Sequence, residues 1–339
     1  MPVSVPAPVT PPTIVLAYSL RRVAVSIPVV LAASFIVFVL VATAGGDPLA
    51  DLRLRPGVSE ATVQLRRQQL NLDKPVLERY GIWVKAAVTG DLGRSVSNEE
   101  VRPLLVRRLG VTLRLVLFAT VVAVLIAVVI GSFGALKQYS KLDHTTTFLA
   151  FVFFSMPVFW LAALLRDIGI RVNTALGETV FFTVGERTPN LGGGVLTVWA
   201  DRLGHLLLPS LTLVLVQVAA WSRFQRGSML EVLNADYIRT ARAKGLTGRR
   251  VLFRHALRNA LIPVVTVVAI DFAAVLGGAV VTETVFGWTG MGRLLLTGLR
   301  TKDVNVVQAW LLVAAVLVVA FNLAADLLYG YLDPKIRRG

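Results

Sequence analysis

Residues able to carry chemistry are sparse in this 339-residue chain, and most of them are cationic. Residues 236–259, DYIRTARAKGLTGRRVLFRHALRN, crowd Arg239, Arg242, Lys244, Arg249, Arg250, Arg254 and Arg258 between two long apolar runs. Such a cluster can hold acidic lipid head groups, or it can rim a helix that inserts into a groove on another protein. Asp271 falls near the middle of an apolar run, where an ionised group is costly unless it faces water or a partner. Nucleophilic and metal chemistry find less support. No cysteine is present, which excludes disulfide frameworks, thiolate catalysis and cysteine metal sites. His144, His205 and His255 lie far apart and show no ligand spacing. Within the apolar runs there is no His-Glu-x-x-His motif, no histidine–carboxylate pair and no serine with an evident base. A Gly-x-x-x-x-Gly-Lys-Ser/Thr loop is also missing, so the chain by itself does not cradle a nucleotide phosphate in that way.

The elements that must position these residues are membrane helices. Hydrophobic residues make up 55% of the chain and charged residues 16%, with a mean hydropathy of +0.70. Soluble domains carry about a quarter charged residues. A helix needs about 20 mainly apolar residues to cross the hydrocarbon core, and the runs at 23–44, 111–136, 148–165, 206–221, 261–281 and 304–328 meet this need. Unpaired backbone amides are not tolerated in lipid and no alternating barrel pattern occurs, so the spans must be helical. The expected fold is an all-α polytopic membrane protein with about six transmembrane helices. Arg21 and Arg22 precede the first run and Ala42-Thr43-Ala44 resembles a cleavage site, but the run exceeds a usual signal-peptide core, and a retained span is expected.

The net charge of +15 is explained by lysine and arginine in cytoplasmic loops rather than by nucleic acid. Lys137, Lys141, the basic stretch from Arg226 to Arg258, and Lys335, Arg337 and Arg338 share one side when both termini are cytoplasmic. The loop 45–110 also carries arginines, but loops of that length count little in orientation. The chain then divides into a cytoplasmic segment 1–22, a first transmembrane helix 23–44, an external loop 45–110, a transmembrane core 111–328 with a cytoplasmic loop 226–260, and a tail 329–339.

Within the external loop, Asp73 and Pro75 can open a helix that Gly90 ends, with Leu77, Tyr80, Val84 and Val88 in one apolar stripe. Such a helix would lie on the outer membrane surface, as a lid over the bundle or as a docking surface for an external partner. In the cytoplasmic loop, Leu230, Leu233, Tyr237 and Ala241 recur at helical spacing with Ile238 beside them. Asn234 or Asp236 can cap a short helix that Gly245 stops. Thr247 can cap a second helix carrying Arg249, Arg250, Arg254 and Arg258. A lipid anchor needs the charge but neither the apolar ridge nor the glycine break.

ADYIRTARAKGL followed by HALRNALIPVVTV resembles the cytoplasmic loop of binding-protein-dependent ABC importer permeases. On the general family pattern Glu-Ala-Ala, three residues, Gly, the match is Arg239, Thr240, Ala241 and Gly245, with the glutamate missing. Leu257-Arg258 stands where that pattern ends in Leu-Pro; both departures are typical of the peptide-importer branch. GGDP, LNLDKPVLERYGIWV, GDLGRSV, SMPVFWLAALL, LLLPSLTL, LGGAVVTETVFGWTGMG and NLAADLLYGYLDPKIR are similar to that branch and extend the resemblance over nearly the whole chain. The loop with LDKP and GDLG resembles the B-type permease subunit. Thr289 departs from the usual Trp-Pro-Gly, which would loosen the external turn.

The resemblance implies a MetI-like permease fold in a bacterial plasma membrane. It implies a second, C-type permease as partner, two cytoplasmic ATP-binding cassette subunits that hold ATP and magnesium, an external peptide-binding protein, and surrounding membrane lipid; this chain itself would bind no cofactor and no metal. The coupling loop would comprise Asp236, Tyr237, Ile238, Arg239, Thr240, Ala241, Arg242, Ala243, Gly245, Leu246 and His255, with Tyr237, Ile238, Ala241 and Gly245 at the core of the ATPase contact. Asp271 could then meet a peptide's amino terminus in the pathway, or pair with a polar group on a neighbouring helix. Gly277 and Gly278 could pack helices closely or hinge a gate. Arg166 and Asp167 are expected to pair at the outer surface, and Asn322 and Asp326 to bond structurally; Glu283 sits where span five meets the outside and could as easily be a solvated helix end. The alternatives are an ion-gradient-driven secondary transporter, which often shows repeated halves not evident here, and an importer of nickel, haem or another solute.

Overall fold

The computed structural model describes residues 12–44, 46–54 and 56–332. The basic tail residues Lys335, Arg337 and Arg338 lie outside them. Among the described residues, five helices are long and apolar enough to cross a membrane: α1 (Pro12–Thr43), α5 (Val101–Leu136), α8 (Val195–Leu233), α11 (Arg258–Val285) and α13 (Val304–Leu332). Several run past their apolar stretches. α5 starts at Val101 because Val101 and Leu105 are buried against Met291, Leu294 and Val306 beyond the end of the bundle.

The single helix expected over 148–165 is instead a broken pair. α6 (Lys141–Ser155) and α7 (Val158–Leu176) meet at an angle of 106°. Pro157 lacks an N–H and crowds the residue before it out of the helical region. Met156 accordingly adopts φ −80° and ψ 127°. Counted as one crossing, the pair brings the total to six.

The bundle is organised on α5 and α8, which pack more extensively than any other pair of helices. Ala119, Ala123, Ala127, Gly131 and Ala135 are buried at intervals of four along α5. Residues so spaced share one helix face, and small side chains there let backbones approach closely. At Gly131 the approach is near its limit, since a Cβ would lie 2.5 Å from the carbonyl oxygen of Ser222. α11 completes the core against α8 and α13, with Phe272 and Phe321 stacked at 3.9 Å. α1 sits at the edge, touching α13 and exposing Val25, Val29 and Leu40.

Outside the bundle, α2 (Ala50–Arg53), α3 (Glu60–Gln69) and α4 (Val76–Val88) occupy the loop after α1. α4 follows Pro75 and stops before Gly90 at φ +83°, as the sequence predicts. Its inward face is rotated from the predicted stripe, with Trp83 buried and Leu77 and Val88 exposed. The Tyr80 hydroxyl decides the rotation: it donates to the carbonyl of Leu31 at 3.0 Å and bonds Ser34 Oγ at 2.7 Å, while its ring meets Phe35 and Phe38 edge-on.

Candidate functional site: the cytoplasmic loop and the polar contacts of the bundle

α9 (Asp236–Ala243) begins after Ala235, so neither Asn234 nor Asp236 is its N-cap. Asp236 occupies the first turn and Arg242 the last, where the helix dipole favours each charge. Gly245 stops the chain at φ +74°, a left-handed conformation that costs other residues about 1–2 kcal/mol. The second predicted helix is not separate. Thr247 precedes a turn, α10 (Gly248–Arg250), which continues through a π-helical turn over Val251–Leu257 into α11. π-turns inside helices often mark functional sites.

Burial divides the loop residues into two sets. Ile238 is fully buried and Ala241 nearly so, packed with Met229, Val251, Ala256 and Ala260. They anchor α9 to the bundle, so they do not present themselves to another protein. Asp236, Tyr237, Arg239, Thr240, Arg242, Ala243 and Gly245 are exposed, while Leu246 and His255 are half-buried. Tyr237 keeps 44% of its surface, and its hydroxyl accepts from Asn259 Nδ2 at 3.0 Å.

Asp271 is half-buried on α11 and accepts a hydrogen bond from Trp221 Nε1 of α8. Gly277 is exposed with open space around it, and Gly278 faces Leu213 of α8 at contact distance. Towards the C-terminal end of α8, Arg226 donates twice to the carboxylate of Asp143, at 2.6 and 2.7 Å. This pair ties α8 to the start of α6.

Several expectations for the outer end are overturned. Glu283 is not a solvated helix end but is fully buried, accepting from Thr112 Oγ1 and from the N–H of Gly292 at 2.7 Å. Arg166 does not pair with Asp167: it donates to the carbonyl of Val285 at 2.9 Å, and Asp167 pairs with Arg171. Thr289 does not loosen its turn, because its hydroxyl donates to Glu186 at 2.9 Å and its carbonyl accepts from Arg108 at 2.6 Å. A histidine–carboxylate contact also exists in the N-terminal part of α8. His205 Nε2 lies 3.5 Å from Asp201, and Thr188 Oγ1 donates to the same carboxylate at 2.5 Å. The group fastens the loop 177–194 onto α8. Asp326 bonds structurally as expected, through an ion pair with Arg22 of α1.

Residues 112–338 match the family described as binding-protein-dependent transport system inner membrane component. The chain belongs to that family. It is therefore a multi-pass protein of the bacterial inner membrane and a transport component. The oligopeptide transport system permease protein OppB of Mycobacterium tuberculosis (strain ATCC 25618 / H37Rv) is 43% identical over 321 residues, covering 94% of this chain and 98% of that protein. The oligopeptide transport system permease protein AppB of Bacillus subtilis (strain 168) is 39% identical, with 94% and 99% covered. The dipeptide transport system permease protein DppB of Escherichia coli (strain K12) is 36% identical, with 95% and 99% covered. Among solved structures, the inward-facing MetNI methionine ABC transporter shares the fold at a TM-score of 0.52, with 18% identity over 68% of this chain and 96% of that one.

Two of these features in the transport component are signalled by spacing alone. The small residues of α5 at intervals of four are visible in the sequence, as are Asp201 and His205 one helical turn apart. The Asp143–Arg226 and Glu283–Thr112 contacts join residues 83 and 171 positions apart, and no local pattern announces them.

Proposed function

We propose that this chain is the permease subunit of an ATP-driven importer that takes up oligo- or dipeptides delivered by an external substrate-binding protein. With a second, C-type permease it would form the pathway, and two cytoplasmic ATP-binding cassette subunits would supply ATP and magnesium. The observation that carries the proposal is α9 itself. Ile238 and Ala241 are buried in the chain's own core, while Tyr237, Arg239, Thr240 and Arg242 around them are exposed. A short helix so fixed transmits a push from a docked partner into α8 and α11 rather than yielding to it. Relatives that span 94–95% of the chain are named as peptide permeases, which supports the cargo class.

Affinity purification of the tagged chain in mild detergent, followed by mass spectrometry and an ATPase assay with and without peptides, tests this directly. Recovery of a second permease, ATPase subunits and peptide-stimulated hydrolysis is the expected result. A chain that purifies with no nucleotide-hydrolysing partner would overturn it.

A further inference from the structure

The external loop borders an open-mouthed cavity of about 880 Å³ between α3, α4, residues 89–103 and the ends of α1 and α13 nearest the loop. Pockets for small ligands commonly fall within about 300–1,000 Å³. The polar groups around this one are poorly matched by the chain itself. Arg66 is only 6% exposed. It donates to Gln69 Oε1 at 2.7 Å and to the carbonyl of Ser95, yet its Nε finds no partner and no carboxylate is within ion-pair distance among the described residues. Arg79 is half-buried over the ring of Phe38, 5.8 Å from its centroid, and its guanidinium makes neither a hydrogen bond nor an ion pair among the described residues. Its burial holds the guanidinium below the ordinary arginine value. The buried indole N–H of Trp83 is likewise without a partner.

An arginine withdrawn from water without a counter-ion is unfavourable, and a guanidinium presents forked donors that fit a carboxylate. Arg102, exposed at the rim, adds a third such group. The wall also holds Asp91, whose carboxylate accepts from the N–H of Gly93 and forms no ion pair among the described residues. Arg79 and Arg102, which form no ion pair among the described residues, stand beside the buried Arg66, whose charge is partly met by the nearby Asp303; with the unpaired carboxylate of Asp91 they complement a zwitterion better than a simple anion.

We propose that this external cavity is a receiving site for a short zwitterionic peptide, whose terminal carboxylate is held by Arg79, Arg66 and Arg102 and whose ammonium group faces Asp91. The inference rests on the peptide reading above. It adds a peptide contact on the permease's own outer face, where the external loop meets the ends of α1 and α13.

The test uses the full-length chain with its copurifying subunits in nanodiscs, titrated with tri-alanine and with tri-alanine amide by calorimetry. Tri-alanine is expected to bind at least tenfold more tightly than its amide. Arg79→Gln is expected to weaken tri-alanine at least tenfold and to erase the distinction between acid and amide. Should Arg79→Gln fail to fold, the exposed Arg102→Gln decides, with a loss of at least threefold. Equal binding of acid and amide, or unchanged affinity in the folded variants, overturns the proposal. So does loss of copurifying phosphatidylglycerol from Arg79→Gln with tri-alanine binding intact, which would make the cavity a head-group site. Failure of the peptide reading looks different: cells lacking this chain would import tri-alanine as fast as wild type, while the acid–amide distinction at the cavity persisted.

Discussion

Asp271, near the middle of α11, accepts a hydrogen bond from the indole Nε1 of Trp221 on α8 at 2.9 Å. Trp221 is almost completely buried, so the carboxylate faces the core of the bundle and serves the contact between two of its central helices. Of the two roles open to Asp271, this geometry favours helix pairing over contact with cargo. Asp271→Asn keeps an acceptor and should cost about 1 kcal/mol or less, whereas Trp221→Phe strands the carboxylate and should cost about 1–3 kcal/mol. Thermal unfolding in nanodiscs reads the stability difference. Peptide uptake by Asp271→Asn should match wild type in rate and preference; a changed preference would return the residue to the pathway.

Glu283 joins α11, α5 and the first turn of α12 (Met291–Arg300). Thr112 Oγ1 also accepts from the N–H of Met291 at 2.8 Å, which closes the network. A buried donor left without its acceptor costs about 1–3 kcal/mol. Glu283→Ala should therefore lower the unfolding midpoint more than Glu283→Gln does, and protease nicking between α11 and α12 should rise with it.

Gly131 meets the backbone of Ser222, and a backbone cannot swing aside as a flexible side chain can. Gly131→Leu should overpack the α5–α8 contact by about 1–3 kcal/mol and reduce the yield of folded protein. Expression with size-exclusion analysis in detergent would register this. An unchanged profile would mean that the two helices lie further apart than described.

The two faces of α9 should separate stability from coupling. Ile238→Ala removes fully buried volume and should cost about 2–5 kcal/mol. Tyr237→Ala and Arg239→Ala act on exposed residues and should leave the unfolding midpoint within about 0.5 kcal/mol. Under the proposed coupling they nonetheless reduce peptide-driven ATP hydrolysis several-fold. Parallel melting curves and ATPase assays distinguish the two classes.

Asp303 accepts from the N–H of Val96 at 2.6 Å and of Val306 at 3.2 Å, pinning the external loop to the start of α13. Burial pushes its carboxyl above the ordinary aspartate range, despite these bonds and the nearby Arg66. A raised folded value means that the folded state binds the proton more tightly than the unfolded chain. Its contribution is thus fully present below the ordinary aspartate pKa and is lost as pH rises through the raised value. Asp303→Asn should flatten the stability profile over that interval, measured by unfolding across a pH series.

The sequence made most of the spans and the glycine stop at Gly245 legible, because each rests on composition or on one residue's backbone freedom. The helix α4 was legible in extent but not in facing: Tyr80 chooses its side by bonding Leu31 and Ser34, which are 49 and 46 positions away. The same limit applies to α9, where both Tyr237 and Ile238 look apolar enough to dock outward until packing with Met229 and Ala260 sends Ile238 inward. The break at Pro157 was readable, since proline disfavours helix in the residue before it. An apolar run continuing on both sides concealed it. Glu283 lay beyond reach because its burial depends on α12 folding back over it.

Uptake of a labelled tripeptide into proteoliposomes containing this chain with its copurifying subunits and external binding protein is the most direct measurement. Uptake should require internal ATP and magnesium, persist when ionophores collapse proton and sodium gradients, and fall several-fold in Tyr237→Ala. Uptake that proceeds without nucleotide and stops when the gradients are collapsed would contradict the account and identify a secondary transporter instead.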